Sequence, residues 1–392
     1  MRSPSCGLGA VNADAGRDVP SYAVCVDFDR LTVEQARKRD GTKWVQAGPD
    51  VIPAWVADMD FPVADPIRDA IMHRVTTDMG YPDWPWEQPG LPLPEVFAER
   101  MAARYGFHPD PVHVKPFTDL NQSLQALLDV LTEPGEGVLT HTPTYNAFLM
   151  TMEAMNRPPV PIPLVPDGET WRAELPADPG GARVLLLVNP HNPTGRCFTR
   201  TELEELADYA DRHDLVVISD EIHSDLVFAP NEHIPFGLLR PERTVTITSA
   251  SKAFNMGGLH CAIAHLGSPR ARAALATRPP ALYGQPSVLG VAATVAAWRQ
   301  CDAWLDGVVA VLDRNRKTLA QRLPAGWTYR VPDATYLAWI DTGIPDAAAV
   351  LEREARVKVA PGSIYGAPDT WIRLNFGTSG PILDEILDRI RI

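Results

Sequence analysis

The chain has 392 residues, 45% of them hydrophobic and 22% charged, which excludes a disordered or fibrous protein and leaves room for two packed lobes. Thirty-six basic residues against 49 acidic ones give a net charge of −13, which argues against nucleic acid or an anionic membrane as the main partner. Thirty-eight prolines, many for so apolar a chain, make their distribution informative.

Residues 1–24 are rich in Gly, Ala, Ser and Asp and read as a mobile tail. No continuous apolar stretch follows Arg2, so a signal peptide is not expected. Prolines then gather in clusters (Pro82 to Pro94, Pro158 to Pro163, Pro190 and Pro193) that read as punctuation between elements. Leu120, Leu124, Leu127, Leu128 and Leu131 mark a helix feeding a strand at Val138 to Thr140. Arg183 to Val188 is an apolar run that suits a strand covered on both faces. Thr199 to His213 follows as a helix, opened by a capping-box pattern of Thr199 and Glu202. Leu215 to Ser219 and Thr244 to Thr248 are further strands, and this alternation predicts a mostly parallel sheet with right-handed crossovers. Val288 to Trp298 is the most apolar helical stretch, but its about 11 residues fall short of the roughly 20 that span a membrane. Near the end, amphipathic helices at Ala347 to Val357 and Ile382 to Ile390 flank a strand at Tyr336 to Ile340, predicting a smaller α+β domain. Five scattered cysteines without a CxxC pair argue against a disulfide framework or zinc ribbon and fit a reducing cytoplasm.

Ligands of open parallel sheets bind beyond the carboxyl ends of the strands. Three such ends are chemically loaded: Asn189-Pro-His-Asn-Pro-Thr-Gly195, Ser219-Asp-Glu-Ile-His-Ser-Asp225 and Thr248-Ser-Ala-Ser-Lys-Ala-Phe-Asn255. Taken singly, Lys252 reads as a solvated lysine, Asp220 as a helix cap and Asn189 as a turn residue. A buried Asp220 needs a cationic partner or a proton, since an unpaired buried carboxylate is costly. His223 with Asp225 is too small a set for a metal site, so no metal is expected. A nicotinamide enzyme is disfavoured because no G-x-G-x-x-G follows a strand.

In order and spacing, these three segments resemble the signatures of fold-type I pyridoxal 5'-phosphate (PLP) enzymes of the aminotransferase class I/II group. The resemblance runs from about Phe28 to Ile392. Lys43-Trp44, Trp55-Val-Ala-Asp-Met-Asp-Phe61, Gly80-Tyr81, Thr142-Pro-Thr-Tyr145 and Trp371-Ile-Arg-Leu-Asn-Phe376 narrow it to MalY/PatB-type C–S lyases, which are cystathionine β-lyase-like. It implies an α/β fold: a large PLP-binding domain over 61–295, with a mostly parallel, seven-stranded type of sheet between helices. A small C-terminal α+β domain would cover 296–392, and an N-terminal arm over 25–60 would join it.

The resemblance also implies roles. Lys252 would bind the cofactor covalently, exchange it for the substrate amine and shuttle the Cα proton; a lysine in a dry, cationic setting has the lowered pKa this requires. Asp220 would pair with the pyridinium nitrogen, Asn192 with the ring oxygen, and Tyr145 would stack on the ring. Ser249 and Ser251 would hold the phosphate, with Tyr81 entering from the second subunit of a homodimer; Leu120, Asn121 and His223 complete the implied cofactor contacts. Arg373 would grip the substrate α-carboxylate and Asp58 would line the substrate side.

Two positions depart from the pattern. Asp119 stands where the family usually has a phosphate-cradling glycine, and is expected to cap the helix instead. His260 stands where Arg or Gln is common. The implied activity is β-elimination from an S-substituted cysteine, giving a thiol, pyruvate and ammonia. An aminotransferase uses the same residues, as does a biosynthetic variant performing decarboxylation-linked oxidative deamination of an S-cysteine conjugate. A catalytically idle, partner-binding relative is disfavoured by the intact Lys252, Asp220 and Arg373.

Overall fold

The computed structural model describes residues 26–80 and 92–391. The expected tail over 1–24, Tyr81 and the Trp84 to Trp86 loop lie outside the described residues.

Among the described residues, eight strands form the main sheet. Their order is Val114–Phe117, Ala262–Leu266, Thr244–Thr248, Val216–Asp220, Val184–Val188, Val138–Thr142, Pro159–Asp167 and Thr170–Ala173. The four pairings that join the central strands from Thr244–Thr248 to Pro159–Asp167 are all parallel. Ala262–Leu266 runs antiparallel to both its neighbours, and Thr170–Ala173 returns as a hairpin on the far edge. That hairpin strand is one more than the expected seven; its Thr-Trp-Arg-Ala sequence is too short to carry a periodic signal.

Val184 to Val188 shows why the apolar runs become central strands. Val184, Leu186 and Val188 pack into the core beneath the helix Leu120–Leu131, whereas Leu185 and Leu187 pack into the core beneath Arg200–Arg212. All five are buried, each contributing roughly 1.5–3 kcal/mol of hydrophobic stabilisation. Arg200–Arg212 starts where expected: Thr199 Oγ1 accepts from Glu202 N, and Glu202 Oε2 accepts from Thr199 N.

One proline cluster is not punctuation. Pro159, Pro161 and Pro163 lie inside the strand Pro159–Asp167. Its outer neighbour pairs only with Leu164 to Asp167, so these alternate positions can face the open edge, where a missing N–H breaks no ladder.

The C-terminal part builds a second sheet, in the order Thr328–Tyr329, Leu337–Asp341, Trp371–Asn375 and Ala360–Pro361, antiparallel throughout. Asp302–Arg322 and Gly380–Arg389 pack in the same core. The expected helix from Ala347 to Val357 is shorter: one α turn at Ala347–Val350 widens into a π-type turn at Leu351–Ala355. Arg356 takes a left-handed conformation that stops it, and Val357 instead pairs in parallel with Ile52. This pairing ties the N-terminal segment to the C-terminal part. No helix among the described residues is long and apolar enough to cross a membrane.

Candidate active site

The three loaded strand ends converge on one cavity of about 230 Å³. Asp220 is the last residue of its strand, Asn192 lies four residues past Val188, and Ser249, Ser251 and Lys252 follow Thr248. Leu120, Asn121, Tyr145, Asn192, Asp220, His223, Ser249, Ser251 and Lys252 all line it.

Lys252 Nζ donates to the Ala57 carbonyl at 2.7 Å, and Tyr336 Oη donates to the same oxygen at 3.0 Å. Burial pulls the lysine below its ordinary pKa; Asp58 and Asp220 oppose that shift, while Arg373 adds to it. Among the described residues the Asp220 carboxyl accepts one hydrogen bond, from the Ile222 N–H at 3.0 Å, and burial pushes it up to about 7. His223 is held near 3 by burial and the nearby cations, so its ring is neutral at physiological pH. Burial likewise raises the Tyr145 phenol.

Arg373 stands beside the cavity. Its Nη1 donates to Asn192 Oδ1 at 3.1 Å and its Nη2 to the Trp55 carbonyl at 2.9 Å. The guanidinium lies 4.8 Å from the centre of the Tyr365 ring, and its buried Nε has no hydrogen-bond partner among the described residues. Of its five N–H donors, these two bonds leave the Nε donor and one on each terminal nitrogen for a substrate carboxylate.

Asp119 caps the helix Leu120–Leu131, accepting from Gln122 N at 2.9 Å. It still lines the cavity, with Oδ2 at 4.0 Å from His260 Nδ1, so the two departures from the family pattern face each other. Ser249 Oγ donates to the Cys261 carbonyl at 2.6 Å and accepts from Ser251 N, which fixes the turn before Lys252. The Asn121 side chain turns to Thr151, leaving its backbone toward the cavity. Asp225 pairs with Arg100, Arg104 and Tyr105, so it forms no pair with His223. Asp58 does not line the cavity directly; its neighbour Ala57 does.

Sequence reasoning missed Ala57, Thr118, Tyr336 and Tyr365. Ala57 acts through its carbonyl, which no side-chain pattern reveals. The tyrosines carried no motif, although Tyr336 opens the recognised Tyr-Leu-Ala-Trp-Ile run.

This donor set fits PLP. Backbone N–H groups at the start of Leu120–Leu131, with Ser249 and Ser251, suit a phosphate. Asp220, buried and without a cation in contact among the described residues, suits a protonated ring nitrogen. Tyr145 and Asn192 suit the ring face and its oxygen, and Lys252 the aldehyde.

A family model of aminotransferases of class I and II matches residues 92–390. The cystathionine beta-lyase of Corynebacterium glutamicum is 30% identical over 368 residues, covering 91% of this chain and 98% of its own. The crystal structure of OvoB matches with a TM-score of 0.86 at 34% identity, covering 93% of this chain and 98% of that one. The PLP-bound C–S lyase of Staphylococcus hominis matches at 0.84 and 26%, covering 94% and 98%. The chain belongs to the aminotransferase class I and II family.

Proposed function

We propose that the chain is a PLP-dependent C–S β-lyase, converting an S-substituted cysteine and water to a thiol, pyruvate and ammonia. The observation that carries this is a buried lysine of lowered pKa between Asp220 and Arg373, in a chain similar over nearly its whole length to a cystathionine beta-lyase.

PLP, when bound, draws electrons from the substrate Cα. Asp220 would hold the proton on the cofactor's ring nitrogen. Arg373 orients the amino acid by its α-carboxylate, with charge-assisted bonds that fix which Cα bond faces Lys252. The Lys252 amine, deprotonated more readily because it is buried, takes the Cα proton; the thiolate then leaves Cβ. Tyr145, which lines the cavity, would cover the cofactor's ring and limit water.

The purified protein is expected to release thiol and pyruvate in equal amounts from S-alkyl-L-cysteines without any keto acid. Release that depends on an added keto acid would make the chain an aminotransferase.

We further infer a homodimer with shared sites, the Tyr81 loop of one subunit reaching the cavity of the other, in the cytoplasm. Exposed Met72, Val75 and Met79, an apolar row just before that loop, support the contact. Free, buried Cys197, Cys261 and Cys301 support a reducing compartment. Size exclusion of the cell extract should place the activity at the mass of a dimer. A fully active monomer contradicts the shared site, and activity confined to the membrane pellet contradicts the compartment.

A further inference from the structure

Three successive carbonyls, those of Val56, Ala57 and Asp58, are each held by side chains from elsewhere in the fold. Asn375 Nδ2 donates to the Val56 oxygen at 2.6 Å and to the Asp58 oxygen at 2.7 Å. Between them, the Ala57 oxygen takes two donors, Lys252 Nζ at 2.7 Å and Tyr336 Oη at 3.0 Å. The segment is tied to the lysine loop as well. Asn255, three residues after Lys252, accepts from Met59 N at 3.0 Å and donates to the Phe61 carbonyl at 2.6 Å. Ala57 lines the cavity, so its carbonyl is a fixed acceptor beside the reacting amine.

Tyr336 is as firmly placed as the oxygen it meets. Its side chain is fully buried, its ring lies edge to face with that of His223, and its own carbonyl accepts from Phe376 N. Burial holds the phenol well above its ordinary pKa, so Tyr336 stays a donor through the physiological range. The charged groups that face Lys252 are Asp58, Arg373 and Asp220, with the neutral His223 nearby. Among the described residues none of these bonds the Ala57 oxygen.

An amine that takes the Cα proton must present its lone pair to the substrate, so one of its N–H groups has to be held elsewhere. The Ala57 oxygen does this. An ammonium, however, bonds a carbonyl more strongly than a neutral amine does, and an unshared oxygen would favour the protonated lysine. A carbonyl has two lone pairs, and a second donor weakens its hold on the first. We propose that Tyr336 is a positioning residue: by sharing the Ala57 oxygen, it aims the Lys252 amine at the substrate and keeps that oxygen from retaining the transferred proton. This rests on the part of the lyase reading that makes Lys252 the proton carrier.

Tyr336→Phe removes the hydroxyl and keeps the ring. In the cofactor-free protein, acetic anhydride labelling across pH, read by mass spectrometry of the Lys252 peptide, gives the midpoint at which the amine titrates. That midpoint should rise by about 0.5–1 pH unit in the variant, the size of one net hydrogen bond, while that of the exposed Lys38 stays put. In the holoenzyme, kcat for S-propyl-L-cysteine at pH 7 should fall about three- to tenfold, with KM within about twofold. The acid limb of kcat should move up in pH with the midpoint. 3-Fluorotyrosine in place of Tyr336 donates more strongly, so there the midpoint should fall; it carries the test if the phenylalanine variant does not fold. A Lys252 midpoint unmoved by these changes, or a loss confined to KM, overturns the proposal. If the wild type cleaves no S-alkyl-cysteine, the lyase reading falls, and the labelling midpoints alone decide the role of Tyr336.

Discussion

Lys252→Ala should lower kcat/KM for S-alkyl-cysteine cleavage by at least about 10⁴-fold, because one amine serves both as cofactor anchor and as proton carrier. The protein should remain folded. Among the described residues Lys252 Nζ has one hydrogen-bond partner, the Ala57 carbonyl, and Tyr336 Oη still donates to that oxygen in the variant. Its unfolding midpoint should therefore change by no more than about 1 kcal/mol in free energy. The variant should still take up PLP through Asp220, Ser249 and the helix start, but without a colour that borohydride fixes to the chain. Full turnover together with reducible colour in Lys252→Ala contradicts the assignment.

Asp220→Asn should act in opposite directions on activity and on stability. Asp220 stays protonated in the folded, cofactor-free chain up to about pH 7, whereas an ordinary aspartate loses its proton near 4. Between those values the unfolded chain ionises and the folded one does not, so burial costs stability that grows as the pH rises. Above about 7 the cost is constant, on the order of a few kcal/mol. The amide removes it. Cofactor-free Asp220→Asn should melt higher than cofactor-free wild type at pH 8, with a smaller gap at pH 5. With the cofactor bound the order should reverse, because the carboxylate would hold a proton on the cofactor's ring that the amide cannot. Turnover should fall by roughly 10²- to 10⁴-fold. Thermal melts at the two pH values and steady-state kinetics check both halves. A cofactor-free variant that is no more stable than wild type at pH 8, or unchanged turnover, contradicts this role.

How much of the molecule was legible depended on whether one residue or one short run carried the signal. Val184–Val188, Val216–Asp220 and Thr244–Thr248 could be read because strands buried on both faces are apolar at every position. Asp220, Asn192 and Lys252 could be read because each stands at the end of one of those strands or just beyond it. The Asp119 cap could be read from a local rule, and its Gln122 bond realises it. What escaped is relational. The Asp119–His260 contact spans 141 positions between residues that looked like separate departures. The Lys43–Asp60 pair gathers two recognised motif residues into one buried clamp, which no spacing reveals. The strand of alternating prolines read as punctuation between elements, since edge placement belongs to the sheet and not to the segment.

Borohydride reduction of the purified, yellow protein, followed by peptide mapping, tests the site most directly. The phosphopyridoxyl group should be found on Lys252, in the peptide containing Ser249-Ala-Ser-Lys252-Ala-Phe. Its recovery on another lysine, such as Lys43 or Lys115, or on none, would contradict the account.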